Sequence, residues 1–339
     1  MGVDCAGLVT VAVVPRERFS MTRPALERMY EATAPPFRLI YVDGGSPRHI
    51  REYLEAQAKE RGFKLIRTDH YLAPNEARNL AARAVGTKYV VFIDNDVLVT
   101  PGWLDALVTC AEETGAWAVG PLYCIGPPEL ESIHMAAGTC QVITESGRRR
   151  LVDRHRLVGK RWVDVRDSLR REPVQMIEYH CMLLRMEALE RVGPLDEALL
   201  SDREHHDLCM TIERAGGPIY FEPASVVTWM APPPLAWSDL PFFLRRWSES
   251  WNRSSLEHFD RKWALDEDER RLVQCEWRTD YRHEVLRLPV ATKRLRRLLG
   301  WRLGGLAGRY IVVPAENLVT NLLAPDSRRS GSRGEGKAG

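Results

Sequence analysis

Buried strands and amphipathic helices alternate along the first 120 residues. Continuous apolar runs rich in β-branched residues predict strands covered on both faces, and stretches with apolar positions on one side predict helices. The predicted strands cover 8–14, 37–42, 63–67 and 89–93, and the predicted helices cover 21–33, 48–61 and 75–85. Strand and helix units in series predict a parallel sheet with helices on both faces.

The order of elements changes after residue 120. The elements predicted there are a hairpin or long loop over 138–165, a strand over 174–185, helices over 186–192 and 207–215, and two short strands over 219–229. A proline run at 232–234 marks a boundary, and residues 239–310 have helical patterning.

This pattern predicts an α/β protein in three parts. Residues 1–235 are expected to form a doubly wound, mostly parallel, Rossmann-like sheet domain, and residues 236–324 a helical C-terminal extension. Residues 325–339 are polar and are expected to be a disordered tail.

Composition narrows the function classes. The 339 residues hold 48 Lys+Arg against 46 Asp+Glu, a net charge of +2, which argues against a dedicated nucleic-acid binder. The seven cysteines are scattered singly, so a disulfide framework is not expected. The sequence shows neither an apolar run of roughly 18 residues nor a secretory signal pattern, which predicts a cytoplasmic protein.

The residues that follow the predicted strands form the candidate site, because ligands of open α/β sheets bind beyond the carboxyl ends of the strands. These residues are Pro15 and Glu17 after the first strand, Asp43 after the second, and Asp94, Asn95 and Asp96 after the strand at 89–93. Two carboxylates in a D-x-D turn repel each other, so the pair predicts a shared cation. Oxygen ligands suit Mg²⁺ or Mn²⁺, which commonly also bind substrate phosphates.

Six segments form a recognisable series along the chain: the opening strand with Pro15, YVDGGS at 41–46, ARNL at 77–80, KYVVFIDNDV at 88–97, TPGWL at 100–104 and CMLLRMEALERVGPLDE at 181–197. In order and spacing, these segments resemble the family 2 glycosyltransferases of the GT-A fold. The resemblance covers about residues 8–230. It implies an inverting sugar transferase that uses a nucleotide-diphosphate sugar and Mn²⁺ or Mg²⁺.

The resemblance also assigns roles to residues. Asp43 would contact the base or ribose, Arg78 would approach the nucleotide, and Asp94 and Asp96 would face the ribose and the metal-bridged diphosphate. Pro15, Glu17 and Asn95 complete the expected donor site. Residues 1–120 would then be the nucleotide-binding half and residues 121–235 the acceptor half.

Two positions depart from the family pattern. The acidic pair that opens a helix and supplies the base in the family is matched here by Glu204 and His205. We favour Glu204 as the base, with His205 second, since imidazole is a competent base near neutral pH. Trp229 stands where many relatives have a metal-ligating histidine, so the ion would be held by Asp96, diphosphate and water.

Two alternatives remain open at this stage. A non-catalytic sugar-binding or lipid-binding relative is compatible with both departures, whereas a nucleotidyltransferase fits less well because the loop after the first strand lacks glycine. A saccharide, a lipid-linked sugar or a small molecule would each serve as acceptor. The basic C-terminal helices are interpreted first as a structural layer and second as a peripheral membrane contact, through Lys293, Arg294, Arg296 and Arg297 beside leucines.

Overall fold

The computed structural model describes residues 5–34, 36–231, 235–266 and 268–286, together with residues 300, 315, 318, 319 and 322. Its strands are β1 Val9–Val14, β2 Arg38–Gly44, β3 Lys64–Thr68, β4 Tyr89–Asp94, β5 Val97–Val99, β6 Ala118–Ile125, β7 Ser132–Met135, β8 Gly138–Glu145, β9 Arg148–His155, β10 Glu172–Pro173, β11 Cys181–Arg185 and β12 Ile219–Trp229. Its helices are α1 Cys5–Leu8, α2 Thr22–Ala32, α3 Arg48–Arg61, α4 Pro74–Ala82, α5 Trp103–Thr114, α6 Trp162–Val165, α7 Met186–Val192, α8 Glu204–Arg214, α9 Leu240–Arg246, α10 Glu249–Trp263 and α11 Asp268–Val285.

One mixed sheet organises the described part of the chain, in the order β10-β12-β6-β11-β4-β1-β2-β3. The strands β1, β2, β3 and β4 are parallel, and β12 is parallel to β6. The strand β11 lies between β4 and β6 and is antiparallel to both. The expected mostly parallel, doubly wound α/β architecture is confirmed.

Both faces of the central strands are buried. Val11 and Val13 of β1 pack into one core cluster, whereas Ala12 and Val14 pack into a second cluster. Every residue of β1 and β4 is buried. Continuous apolar runs form these strands because helices or loops cover each face of the sheet.

Two strand registers bring the candidate residues together. Val14 of β1 pairs with Asp94 of β4, so the loop after β1 lies beside the D-x-D turn. Cys181 of β11 pairs with Ile93, and the Asp94 amide donates to the carbonyl of His180 at 3.1 Å. Because β11 runs antiparallel to β4, the residues that precede β11 lie at the same sheet edge as those that follow β4.

The helices after residue 235 pack on the sheet domain through buried polar contacts. The Trp247 indole donates to Glu17 at 2.5 Å, and the Ser255 hydroxyl accepts from the Leu200 amide at 2.7 Å. Asp207 of α8 accepts from Lys262 and from the Trp263 indole, each at 2.8 Å. The described helices α9 and α10 therefore form a layer fastened to α8 and to the loop after β1.

Several element bounds differ from expectation. The helix expected over 207–215 spans Glu204–Arg214, and the helix expected over 75–85 ends at Ala82. The strand expected over 174–185 is regular only from Cys181, and 219–229 is one strand with a register shift between Glu222 and Val226 instead of two strands. The segment expected to be a hairpin or loop contains the β8–β9 hairpin. The basic residues 293–297 and the tail 325–339 lie outside the described residues.

Replacing Asp207 by Ala tests how the helical layer is attached. The change leaves the buried Trp263 indole without its acceptor and removes one of the two carboxylates that contact Lys262, so we expect the free energy of unfolding to fall by about 1–3 kcal/mol in urea titrations. Glu213→Ala, at an exposed position of the same helix, is the matched control and should change stability little. Equal stability of the two variants would contradict the role given to Asp207.

Candidate active site

The loop after β1 is fastened to the D-x-D turn by Asn95. The side-chain oxygen of Asn95, Oδ1, accepts a hydrogen bond from the backbone amide of Arg16 at 2.9 Å. The side-chain nitrogen, Nδ2, donates to the backbone carbonyl of Arg18 at 2.8 Å. Asn95 is 1% exposed. Its side chain therefore holds Arg16 and Arg18 above the carboxyl ends of β1 and β4.

Asp94 is surrounded by cationic side chains. One carboxylate oxygen lies 3.5 Å from Arg78, and the other lies 3.5 Å from Arg16 and 3.1 Å from Nδ1 of His180. Burial favours the neutral acid, but Arg16, His180 and Arg78 outweigh it, so the pKa of the Asp94 carboxyl lies below its ordinary value. Asp94 is thus a buried carboxylate paired with two guanidinium groups.

Arg78 reaches this edge from α4. Its guanidinium lies 3.7 Å from the ring centre of Tyr179 and donates to Asn75 at 3.1 Å. Only 1% of Arg78 is exposed. Stacking and hydrogen bonds hold this cation in place, which is the arrangement that suits arginine for recognising a phosphate.

The oxygens of Asp96 are directed into the protein. One carboxylate oxygen accepts from Arg18 at 3.1 Å and from the Trp229 indole at 3.2 Å, and the residue is fully buried. Trp229 therefore bonds to the carboxylate that the family pattern assigns to the metal. The other oxygen of Asp96 is buried and has no hydrogen-bond partner among the described residues. With Arg16 and Arg78 on Asp94 and Arg18 on Asp96, three of the four D-x-D oxygens face guanidinium groups in this arrangement.

The start of α8 carries the candidate bases. Arg203 precedes the helix in a left-handed conformation with φ of 68°, held by bonds from its guanidinium to Asp153 and Gln274. Glu204 follows on the first turn, where the helix dipole favours a carboxylate, and faces Arg246 of α9 at 3.4 Å. Burial is the main cause that lowers the pKa of the His205 imidazole well below its ordinary value, and the neighbouring His206 adds to the effect.

Four histidines surround Glu178 beside this helix. Nε2 of His134 and of His180 lie 3.0 and 3.6 Å from one oxygen, and Nε2 of His155 and of His205 lie 3.6 and 4.0 Å from the other. Burial opposes ionisation of Glu178, but His134 and its neighbours outweigh it and hold the pKa of the carboxyl well below its ordinary value. Imidazole and carboxylate are metal ligands, so this cluster is a candidate metal-binding group.

Seven residues line one small cavity of about 40 Å³. They are Arg16, Arg78, Glu178, Tyr179, His180, Glu204 and His205. The cavity combines fixed cations, buried carboxylates and neutral imidazoles at the ligand-binding edge of the sheet.

The structure brings only some of the expected site residues into this cavity. Arg78, Glu204 and His205 line it, and Asp94 lies directly behind Arg16. Asp43 instead accepts from Ser46 at 2.8 Å and forms an ion pair with Arg67, as a turn-forming aspartate does.

The remaining expected residues have contacts within the protein. Glu17 accepts from Trp247, Asn95 fastens the loop, and Asp96 bonds to Arg18. Pro15 is buried at the end of β1. In this structure these side chains support the site from outside the cavity.

Sequence reasoning did not find Glu178, His180, His134 or His155. Residues that follow a strand meet at one edge of the sheet only where the strands are parallel. His180 precedes the antiparallel β11, and His134 lies on β7, which is antiparallel to β6. Residues just before an antiparallel strand are the signal that would have located His180.

A comparison with known protein families identifies the family of this chain. The sequence profile described as Glycosyl transferase family 2 matches residues 10–193, more than half of the chain. The chain belongs to glycosyl transferase family 2. The matched region contains Arg78, the D-x-D turn and His180.

Curated relatives match over part of the chain. The pre-mycofactocin glycosyltransferases of two Mycobacterium tuberculosis strains, CDC 1551 / Oshkosh and H37Rv, are each 27% identical over 192 residues. The matches cover 56% of this chain and 37% of each relative. The family 2 chain therefore matches less than half of the length of these proteins.

Two solved glycosyltransferases share the fold. GalNAc-T7, solved with UDP, GalNAc and Mn²⁺, gives a TM-score of 0.52 at 16% identity over 82% of this chain and 55% of its own. The mannosyltransferase PcManGT from Pyrobaculum calidifontis, solved with GDP-Man and Mn²⁺, gives a TM-score of 0.50 at 16% identity. That match covers 94% of this chain and 84% of PcManGT. The family 2 chain has the GT-A fold, as expected.

A search of the described helices for a membrane span found none with the necessary length and apolarity. The expectation of a peripheral membrane contact concerns basic residues that the structure does not describe.

The Arg18–Asp96 pair provides a stability test of the D-x-D arrangement. Arg18→Met leaves a buried carboxylate with the Trp229 indole as donor, so we expect a loss of about 3–5 kcal/mol in unfolding free energy. The double variant Arg18→Met/Asp96→Asn should recover much of that loss, because no buried charge is left unpaired. Additive losses in the double variant would show that the two groups are not coupled.

Proposed function

We propose that this family 2 chain transfers a sugar from a nucleotide-diphosphate sugar to an acceptor hydroxyl, with inversion at the anomeric carbon. The observation that carries the proposal is the convergence of two fixed guanidinium groups and a buried acid in one cavity, at the ligand-binding edge of the sheet. Arg16 and Arg78 suit a diphosphate, and Glu204 suits a proton acceptor.

Departure of the nucleoside diphosphate places negative charge on the leaving oxygen. Arg16 and Arg78 both line the cavity and both contact Asp94, and preorganised cations stabilise developing charge without needing to reorient. Asp94 holds both guanidinium groups before the donor binds. In the proposed complex the diphosphate shares these cations with Asp94, and the nucleotide extends along the sheet edge toward Asp43.

The acceptor hydroxyl must lose a proton as the new bond forms. Glu204 is our proposed base, because its carboxyl group lies on the cavity wall and contacts Arg246 of the helical extension at 3.4 Å. His205 is the second candidate, since burial keeps its imidazole neutral. Inversion needs the base on the side of the anomeric carbon away from the leaving diphosphate, so the proposal requires the acceptor to bind between α8 and the donor sugar.

A divalent cation is a further part of the proposal. GalNAc-T7 and PcManGT were each solved with Mn²⁺, and the histidines around Glu178 offer this chain a ligand set. Mn²⁺ or Mg²⁺ at the D-x-D was expected from sequence. The arginines around Asp94 and Asp96 favour a position away from that pair, and no step above depends on the ion.

The division of labour along the chain is also proposed. Residues 1–120 bind the nucleotide, residues 121–235 shape the acceptor side, and the extension from 236 closes the site through Trp247 and Arg246. The relatives' donors, a UDP-linked or GDP-linked sugar, are the donors to try first. A saccharide, a lipid-linked sugar and a small molecule are the acceptor classes to screen.

Donor binding and donor turnover together test the proposal. Purified protein is screened by thermal shift against UDP-sugars and GDP-mannose, where a ligand at 100 times its dissociation constant adds about 2.7 kcal/mol of stability. The stabilising donor is then incubated with candidate acceptors, and nucleoside diphosphate release and the product's anomeric coupling constant are measured. Binding without release from any donor would contradict the proposal and favour a non-catalytic relative.

Glu204→Gln is expected to separate chemistry from binding. Glutamine keeps the shape of the side chain but accepts no proton, so release of nucleoside diphosphate should fall by roughly 10²–10⁴-fold while the donor still shifts the melting temperature. Glu213→Gln, at an exposed position of the same helix, should retain turnover. Full turnover in Glu204→Gln together with its loss in His205→Asn would transfer the role to His205.

Arg78→Met is expected to weaken donor binding. The substitution keeps the apolar stem but removes a charged donor, so the dissociation constant should rise roughly tenfold to a hundredfold, equivalent to about 1.5–3 kcal/mol. Arg83→Met, at an exposed position after the same helix, is the matched control. Unchanged affinity for the donor in calorimetry would remove Arg78 from the diphosphate site.

A further inference from the structure

The histidines around Glu178 have the geometry of a metal centre separate from the D-x-D pair. We propose that His134, Glu178 and His180 bind one transition-metal dication through two imidazoles and one carboxylate. The proposal concerns metal binding alone and does not depend on sugar transfer.

Ligand spacing is the first support. Nitrogen and oxygen ligands at about 2.0–2.2 Å from a common ion lie roughly 3.0–3.5 Å from each other. Nε2 of His134 and of His180 lie 3.0 and 3.6 Å from the same oxygen of Glu178. These side chains therefore need to move little to accept an ion.

The orientation of His180 is the second, independent support. Its Nδ1 lies 3.1 Å from Asp94, which is itself an ion-paired carboxylate, so Nδ1 carries the proton and Nε2 presents a lone pair. That lone pair faces an oxygen of Glu178 rather than a donor. A carboxylate that orients a histidine from behind is the usual outer support of a metal-ligating imidazole.

Glu178 supplies a third observation. The residue is 5% exposed, and the oxygen nearest His134 and His180 has no hydrogen-bond partner that meets normal geometry among the described residues. A buried carboxylate oxygen without a donor is costly. A cation between the three side chains would satisfy this oxygen and the two imidazoles at once.

The position explains the departure at Trp229. The His180 ring stacks on the Trp229 indole at 4.3 Å between centroids, and His134 meets the same indole edge-on at 5.6 Å. Trp229 thus forms an apolar wall of the proposed centre while its nitrogen bonds to Asp96. The centre would lie next to the donor edge without using the D-x-D oxygens as ligands.

The ligand set indicates the class of ion. Imidazole nitrogens suit Zn²⁺, Co²⁺, Fe²⁺ and related ions, whereas Mg²⁺ prefers oxygen ligands in octahedral geometry. Two histidines and one carboxylate leave further positions for water or substrate oxygen. A transition-metal dication is therefore favoured over Mg²⁺.

Co²⁺ is the probe for the test, because its visible d–d absorption reports ligand type and geometry. The full chain is stripped with chelator and titrated with Co²⁺ in the absence of donor, and folding of each variant is checked by circular dichroism. We expect one equivalent of Co²⁺ with visible bands, and at least a hundredfold weaker binding in His134→Ala and in Glu178→Gln. Asp94→Asn should weaken binding by about 10–100-fold through the orientation of His180.

Two controls locate the site. His70→Ala, a half-exposed histidine elsewhere, and Asp96→Asn, in the D-x-D pair, should both bind Co²⁺ as the wild type does. Absence of Co²⁺ binding to the folded wild type would overturn the proposal and leave Glu178 as an ion-pair partner of protonated histidine. Two other results would also overturn the proposal. In the first, His134→Ala binds Co²⁺ with wild-type affinity whereas Asp96→Asn loses Co²⁺ binding. In the second, His155→Ala is the one histidine variant that loses Co²⁺ binding. Each result is independent of whether the protein transfers a sugar.

Discussion

Buried carboxylates at the ends of β1 and β4 require positive charge, and the site is built around that requirement. An uncompensated carboxylate in the interior costs several kcal/mol, so Asp94 and Asp96 persist there only because Arg16, Arg78 and Arg18 are held against them. The strand register and Asn95 fix the loop that supplies two of these arginines. Two of these cations, Arg16 and Arg78, line the cavity in which we propose that the diphosphate binds.

The C-terminal helices complete the same electrostatic arrangement from the other side. Arg246 pairs with Glu204, and Trp247 donates to Glu17, so the extension contributes to the charge balance of the cavity as well as to its packing. Burial lowers the pKa of Arg246 to about 10, which leaves it charged at neutral pH. Breaking the contact between the sheet domain and the extension should therefore disrupt the charge balance of the cavity.

Local pattern was sufficient for much of the fold and part of the site. The apolar runs of β1 and β4 and the D-x-D turn are readable from adjacent residues, because burial on both faces leaves a local signal. The pattern placed the start of the α8 helix at 207 instead of at Glu204, which was identified through the family resemblance. The contacts of His180 depend on β11 entering antiparallel between β4 and β6, and those of Trp229 depend on the pairing of β12 with β5. Such pairings are set by residues far apart in sequence. The histidine cluster and the hydrogen bonds from Arg18 and Trp229 to Asp96 were therefore not predictable from local spacing.

The central claim is that the arginines hold the diphosphate while the histidine cluster holds the cation. Anomalous diffraction from a crystal grown with Co²⁺ and UDP or GDP tests both parts in one measurement. We expect an anomalous peak between His134, Glu178 and His180, and electron density for the diphosphate in contact with Arg16 and Arg78. A peak on the oxygens of Asp96, bridged to the diphosphate, would contradict it.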